Sequence, residues 1–132
     1  MKVLVVAKKI IRECKKAGAD AVKFQMWRAT DLYTKEHPNW NEIKKSELSF
    51  QITKKLKEFC DKEKIEFFCS AFYPEAVTYL SKLGVKKFKV ASRTCKFTDP
   101  YSLEVLEEKN NSKKEIFISM GMGGNKKKIS KI

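Results

Sequence analysis

Leu83–Ser92 reads LGVKKFKVAS: a glycine that can end a helix, then a short apolar run broken by one lysine and closed by a serine. Ala17–Gln25, AGADAVKFQ, follows the same plan with Gly18, Lys23 and Gln25. The strand parts of these stretches are Lys87–Ser92 and Ala19–Gln25. Ile65–Ala71 (IEFFCSA) and Glu115–Met120 (EIFISM) are two further runs of the same kind, rich in Phe or Ile and bounded by charged or turn residues. Between the runs, apolar residues recur at helical spacing. Residues 4–17 put Ala7, Ile10, Ile11, Cys14 and Ala17 on one face, and Gly18 stands where a C-cap belongs. In 49–60 the face is Ile52, Leu56, Phe59 and Cys60 behind Ser49 as N-cap. Pro74 opens a third helix that carries Val77 and Leu80 and stops at Gly84, and Asp99-Pro100 opens a fourth with Leu103 and Leu106.

Helix and strand therefore alternate as far as a fourth strand. That order implies an α/β domain of parallel strands with right-handed crossovers, and an open flavodoxin-like sheet satisfies it too. Segment 26–48, with Trp27, His37-Pro38 and Trp40, is a long connection of the sort that carries substrate contacts. No linker or low-complexity tract divides the chain, so 1–132 reads as one domain.

Buried parallel strands should be almost wholly apolar, and Lys23 and Lys89 break that rule. A cation inside a strand costs several kcal/mol unless an anion or polar partner meets it; the alternative is an edge-strand lysine that reaches water. Strand alternation puts Lys23 and Gln25 on the face opposite Phe24, and turns Lys89 away from Phe88 and Val90. Ser70, Ser92 and Ser119 stand at or near the ends of their runs. Parallel strands open their C-termini on one rim, where active sites sit. Two ammonium groups and several hydroxyls at one mouth suit a phosphate or carboxylate.

The formal charge of +13 invites a nucleic-acid reading. Against it, the chain has 26 Lys and only 3 Arg, and the lysines are spread through every helix rather than gathered in a stripe. The longest apolar stretches are too short for a membrane span, and the N-terminus lacks the form of a secretory signal; a cytoplasmic protein without membrane contact is expected. Cys14, Cys60, Cys69 and Cys95 form no CxxC pair, so neither zinc nor disulfides are expected, and they read as small apolar residues.

In order and spacing, AGADAVKFQ, the Phe67–Phe72 stretch FFCSAF, LGVKKFKVAS and EIFISMGM resemble the core of the N-acetylneuraminate (sialic acid) synthase family, which includes legionaminate and pseudaminate synthases. The likeness runs over about residues 4–124. It implies a (β/α)8 TIM barrel, of which this chain supplies about four parallel strands alternating with helices, without the first strand and the C-terminal half. It implies condensation of phosphoenolpyruvate with an N-acetylated amino sugar (an N-acetylhexosamine), giving a nonulosonic acid and phosphate. By the same resemblance Lys23, Ser70, Lys89, Ser92 and Ser119 hold the phosphate and carboxylate of phosphoenolpyruvate, and Gln25 contacts ligand. The family's divalent metal (Mn or Mg) is held by two histidines on later strands. The only histidine here, His37, matches neither, so no metal ligand is expected in this chain. Where the family commonly has Gly-Glu after the serine of the third run, this chain has Arg93-Thr94, a departure that concerns the amino-sugar site. A half-barrel exposes a sheet edge and apolar surface. The isolated polypeptide is therefore expected to self-associate as a homo-oligomer or to pair with a complementing C-terminal half, without catalysis of its own.

Overall fold

The computed structural model describes residues 2–122 and 125–130. Gly123 and Gly124, where the family-like stretch ends, lie outside the described residues. The elements are α1 (Lys2–Lys16), β1 (Ala21–Met26), α2 (Ala29–Leu32), α3 (Trp40–Lys45), α4 (Phe50–Lys62), β2 (Glu66–Ala71), α5 (Pro74–Lys82), β3 (Lys87–Val90), a 3-10 turn (Thr94–Lys96), α6 (Ser102–Asn111), β4 (Glu115–Ile118) and α7 (Lys126–Ile129). The four strands pair in parallel in the order β1-β2-β3-β4, as the alternation implies.

Local chemistry sets the helix ends. The Ser49 hydroxyl accepts the Ile52 N–H at 3.2 Å and starts α4. Pro74 occupies the first turn of α5. Gly18 and Gly84 follow α1 and α5 with φ of 82° and 77°, a conformation glycine takes without steric cost. The helices then bury one face of the sheet. Val22, Met26, Phe67, Cys69 and Phe88 pack against Ala7, Ile11, Leu56, Val77, Leu80 and Val105 in one continuous core. The other face carries the alternate residues of each strand and has no helix over it. Cys60, Cys69 and Cys95 are buried and Cys14 is half-buried, all as free thiols.

Several expectations are corrected. Segment 26–48 contains two short helices, α2 and α3. The third strand stops at Val90, because Ala91–Arg93 lead into the 3-10 turn. Helix α6 begins at Ser102 rather than at Asp99-Pro100, since Tyr101 takes a left-handed φ of 63° just before it. Its buried stripe is Ser102, Val105, Leu106 and Lys109, which leaves Leu103 exposed. In α1, Ile10 is exposed while Ala7 and Ile11 are buried. Among the described residues no helix is long and apolar enough to cross a membrane.

Candidate anion-binding site

Pairing register places Gln25 beside Ser70, Ser70 beside Lys89, and Lys89 beside Phe117. Side chains in register on parallel strands point to the same side, so Gln25, Ser70 and Lys89 form a row across the uncovered face. Lys23 lies on that face two residues before Gln25. The strand assignment therefore brings the two lysines to one surface.

Lys89 is half-buried. Its Nζ donates to the Ser119 Oγ at 2.6 Å and to the Val90 carbonyl at 2.5 Å. The Ser119 N–H donates to the same carbonyl at 3.1 Å, which carries the β4 strand path up to its hydroxyl. Burial lowers the pKa of Lys89, and the Lys23 charge lowers it further. Lys23 itself is exposed, because β1 is an edge strand among the described residues. The cost of burying a strand cation thus applies to Lys89 and not to Lys23. Ser70 is 1 % exposed, and its Oγ has no hydrogen-bond partner. Buried hydroxyls are almost always partnered, so this one is a donor aimed into the site with its bond still to make.

Ser92 sits past the end of β3, away from the row. With Gln25, Trp27, Tyr33, Phe72 and Arg93 it lines a cavity of about 240 Å³ at the strand ends. Arg93 is clamped by Asp99 through two bonds of 2.6 Å, which raises its pKa, and Thr94 is buried. The Arg-Thr pair that departs from the family pattern is thus fixed in place, with the guanidinium at the cavity wall.

Charge is sorted along the uncovered face. At the strand beginnings, Lys87 pairs with Glu66 at 3.2 Å and with Glu115 at 3.9 Å. Toward the strand ends, no carboxylate among the described residues lies within ion-pairing distance of Lys23 or Lys89.

Sequence reasoning missed Lys109. It is 1 % exposed, and from the helix side its Nζ donates to the carbonyls of Ala71 at 3.1 Å and Lys89 at 2.9 Å. Burial pushes its pKa down to about 7. It ties together the ends of β2 and β3, which carry Ser70 and Lys89. The available signal was spacing, since Lys109 holds the next inward position after Val105 and Leu106.

Residues 10–131 match the model of the NeuB family. The uncharacterized protein MJ1065 of Methanocaldococcus jannaschii is 34 % identical over 117 residues, which are 89 % of this chain and 33 % of that protein. The N,N'-diacetyllegionaminic acid synthase of Legionella pneumophila is 31 % identical over 103 residues, covering 67 % of this chain and 29 % of its own. This chain therefore spans about a third of the length of these relatives. The crystal structure of N-acetylneuraminic acid (sialic acid) synthetase from Leptospira borgpetersenii, in complex with citrate, superposes with a TM-score of 0.84 and 26 % identity over 97 % of this chain and 43 % of that one. A putative spore coat polysaccharide biosynthesis protein E from Chromobacterium violaceum shares the fold, with a TM-score of 0.71 and 21 % identity over 98 % of this chain and 39 % of that one. The architecture is that of part of the barrel in these neighbours, and the chain belongs to the NeuB family.

Proposed function

We propose that this chain is the phosphoenolpyruvate-holding part of an enzyme of carbohydrate biosynthesis that joins phosphoenolpyruvate to an N-acetylated amino sugar. One observation carries the reading. Lys23 and Lys89 share a face without a carboxylate partner, next to a buried Ser70 hydroxyl whose hydrogen bond is unmade. Phosphoenolpyruvate offers a phosphate and a carboxylate, which supply what those groups lack. The Leptospira synthetase that shares the fold is itself in complex with a carboxylate-rich anion, citrate.

In the proposed reaction the enol carbon attacks the open-chain sugar aldehyde, forming the new C–C bond. Water adds at C2, and the C–O bond to phosphate breaks. The role of this chain is to neutralise the phosphate and hold the enol in place, which is electrostatic preorganisation more than proton chemistry. Lys89, fixed by the Ser119 hydroxyl and the Val90 carbonyl, is the rigid cation, and Lys23 is the mobile one. Among the described residues no cluster of three or more His, Cys, Asp or Glu could hold a metal ion. The divalent metal of the family does not fit the donors here, and no step is assigned through it.

Calorimetric titration with phosphoenolpyruvate tests the reading. Lys23→Ala and Lys89→Ala should each weaken binding by roughly tenfold or more, the scale of one lost charge-assisted contact. Lys23→Ala should leave the melting temperature unchanged, because that side chain reaches water. Absence of binding by the parent chain, or equal affinity in all three proteins, would remove the reading.

A further inference from the structure

The sheet has two unpaired edges among the described residues, and the two are complementary. Beyond the outer edge of β1, helix α1 overhangs a groove of about 710 Å³ whose walls are Val3, Val6 and Ile10 on one side and Lys23 and Phe24 on the other. Val6 is 56 % exposed and Ile10 is 47 % exposed, so the helix presents apolar surface to a space beside a strand edge. At the opposite end, β4 is the most exposed strand. Phe117 is 44 % exposed, and Ile118, on the helix-facing side, is 39 % exposed. One end thus offers a helix poised over a free strand edge, and the other a strand with its outer flank uncovered. Each strand is preceded by a helix of its own, so the chain is four helix–strand units in one direction.

We propose that two copies of this chain associate edge to edge, β4 of each entering the groove between α1 and β1 of the other, so that eight parallel strands close about a two-fold axis. A two-fold axis along the strands keeps every strand parallel. It also makes the two junctions identical, which lets an assembly of unlike edges stop at two copies. Closure removes both open edges at once, and eight is a strand number at which barrel interiors fill. Ile118 then lies beneath Val6 and Ile10 of the other copy, while Ser119 joins the face that carries the other copy's Lys23. Glu115 brings a carboxylate to a groove edged by Lys2 and Lys23. The opposing effect is repulsion, since both copies of Lys23 and Lys89 share one interior, so association strengthens as salt screens them. The inference rests on the two edges and is independent of anion binding.

Sedimentation velocity on the full chain, over a roughly hundredfold concentration range at about 0.15 M salt, reads the outcome directly. A dimer end-point is expected, with Val6→Asp and Ile118→Asp each weakening it by at least about tenfold. Both side chains are substantially exposed in the single chain, so circular dichroism should show each variant folded like the parent. Three results overturn the proposal. The first is a monomer throughout, as when a separate polypeptide supplies the paired strand. The second is an open series growing past two copies. The third is an Ile118→Asp variant that dimerises like the parent while Val6→Asp does not, the mark of simple helix-to-helix docking.

Discussion

Lys109 shows how far one side chain departs from its ordinary behaviour. Its ammonium lies among apolar residues with two carbonyls as its hydrogen-bond partners, and burial brings the pKa from 10.5 to about 7. A base whose folded pKa lies below its unfolded value sheds its proton on folding in the window between them. Stability therefore rises with pH from about 7 upward, and that gain is lost as pH falls through 7. The shift corresponds to a few kcal/mol, on the order of one pKa unit per 1.4 kcal/mol. Melting temperature should climb between about pH 6 and 8.5 in the parent chain, below the range where thiols titrate. In Lys109→Met the climb should flatten, and an equal slope in both proteins would show that the proton sits elsewhere. Nothing local marks this lysine. It follows Glu107 and Glu108 in a chain with 26 lysines, so its inward turn depends on what α6 meets. Lys23 and Lys89 were legible because each interrupts an apolar run, where a cation is anomalous in any context. Their difference in exposure was not legible, since it depends on which strand lies at an edge.

Helices α1, α4 and α5 were legible because their ends carry their own chemistry: Ser49, Pro74, Gly18 and Gly84 act within one turn. Short elements lack that autonomy. The first N–H of α2, on Ala29, donates to the Glu47 carboxylate from the far side of α3, a cap no local reading can find. A helix of four residues cannot persist without such help. Gly84 offers a test of the local account. At φ 77°, with no heavy atom within 4 Å of where a Cβ would stand, any penalty for Gly84→Ala is backbone strain alone. Denaturant unfolding should show a loss of about 1 kcal/mol. A neutral result would mean that the turn relaxes and that the glycine does not set the end of α5. Strand β3 was read two residues too long, because Ala91 and Ser92 are apolar and small enough to continue it and only the turn into Thr94 stops it.

Across the chain as assembled, the formal charge of +13 is dispersed. Exposed lysines such as Lys9, Lys54 and Lys62 sit on different helices rather than in one stripe. Binding of duplex DNA should accordingly be nonspecific and released by about 0.15 M salt, whereas phosphoenolpyruvate titration should still register there. Retention of DNA on a filter at that salt, undiminished in Lys23→Ala, would place the function of the cations on the outer surface instead. The alternation of helix and strand fixed parallel pairing, and the runs bearing Lys23, Ser70 and Lys89 reached one row. What lay beyond reading was the closure of the sheet, since edges declare themselves only once strand order is known. The sorted charges of the uncovered face have a directional consequence. Glu66 and Glu115 cancel Lys87 at the bottom, while Lys23 and Lys89 stay uncancelled above, so the electric field along the strands is lopsided. A multiply charged anion diffusing nearby is steered toward a single mouth, and dilute buffer should speed its arrival more than it slows its escape.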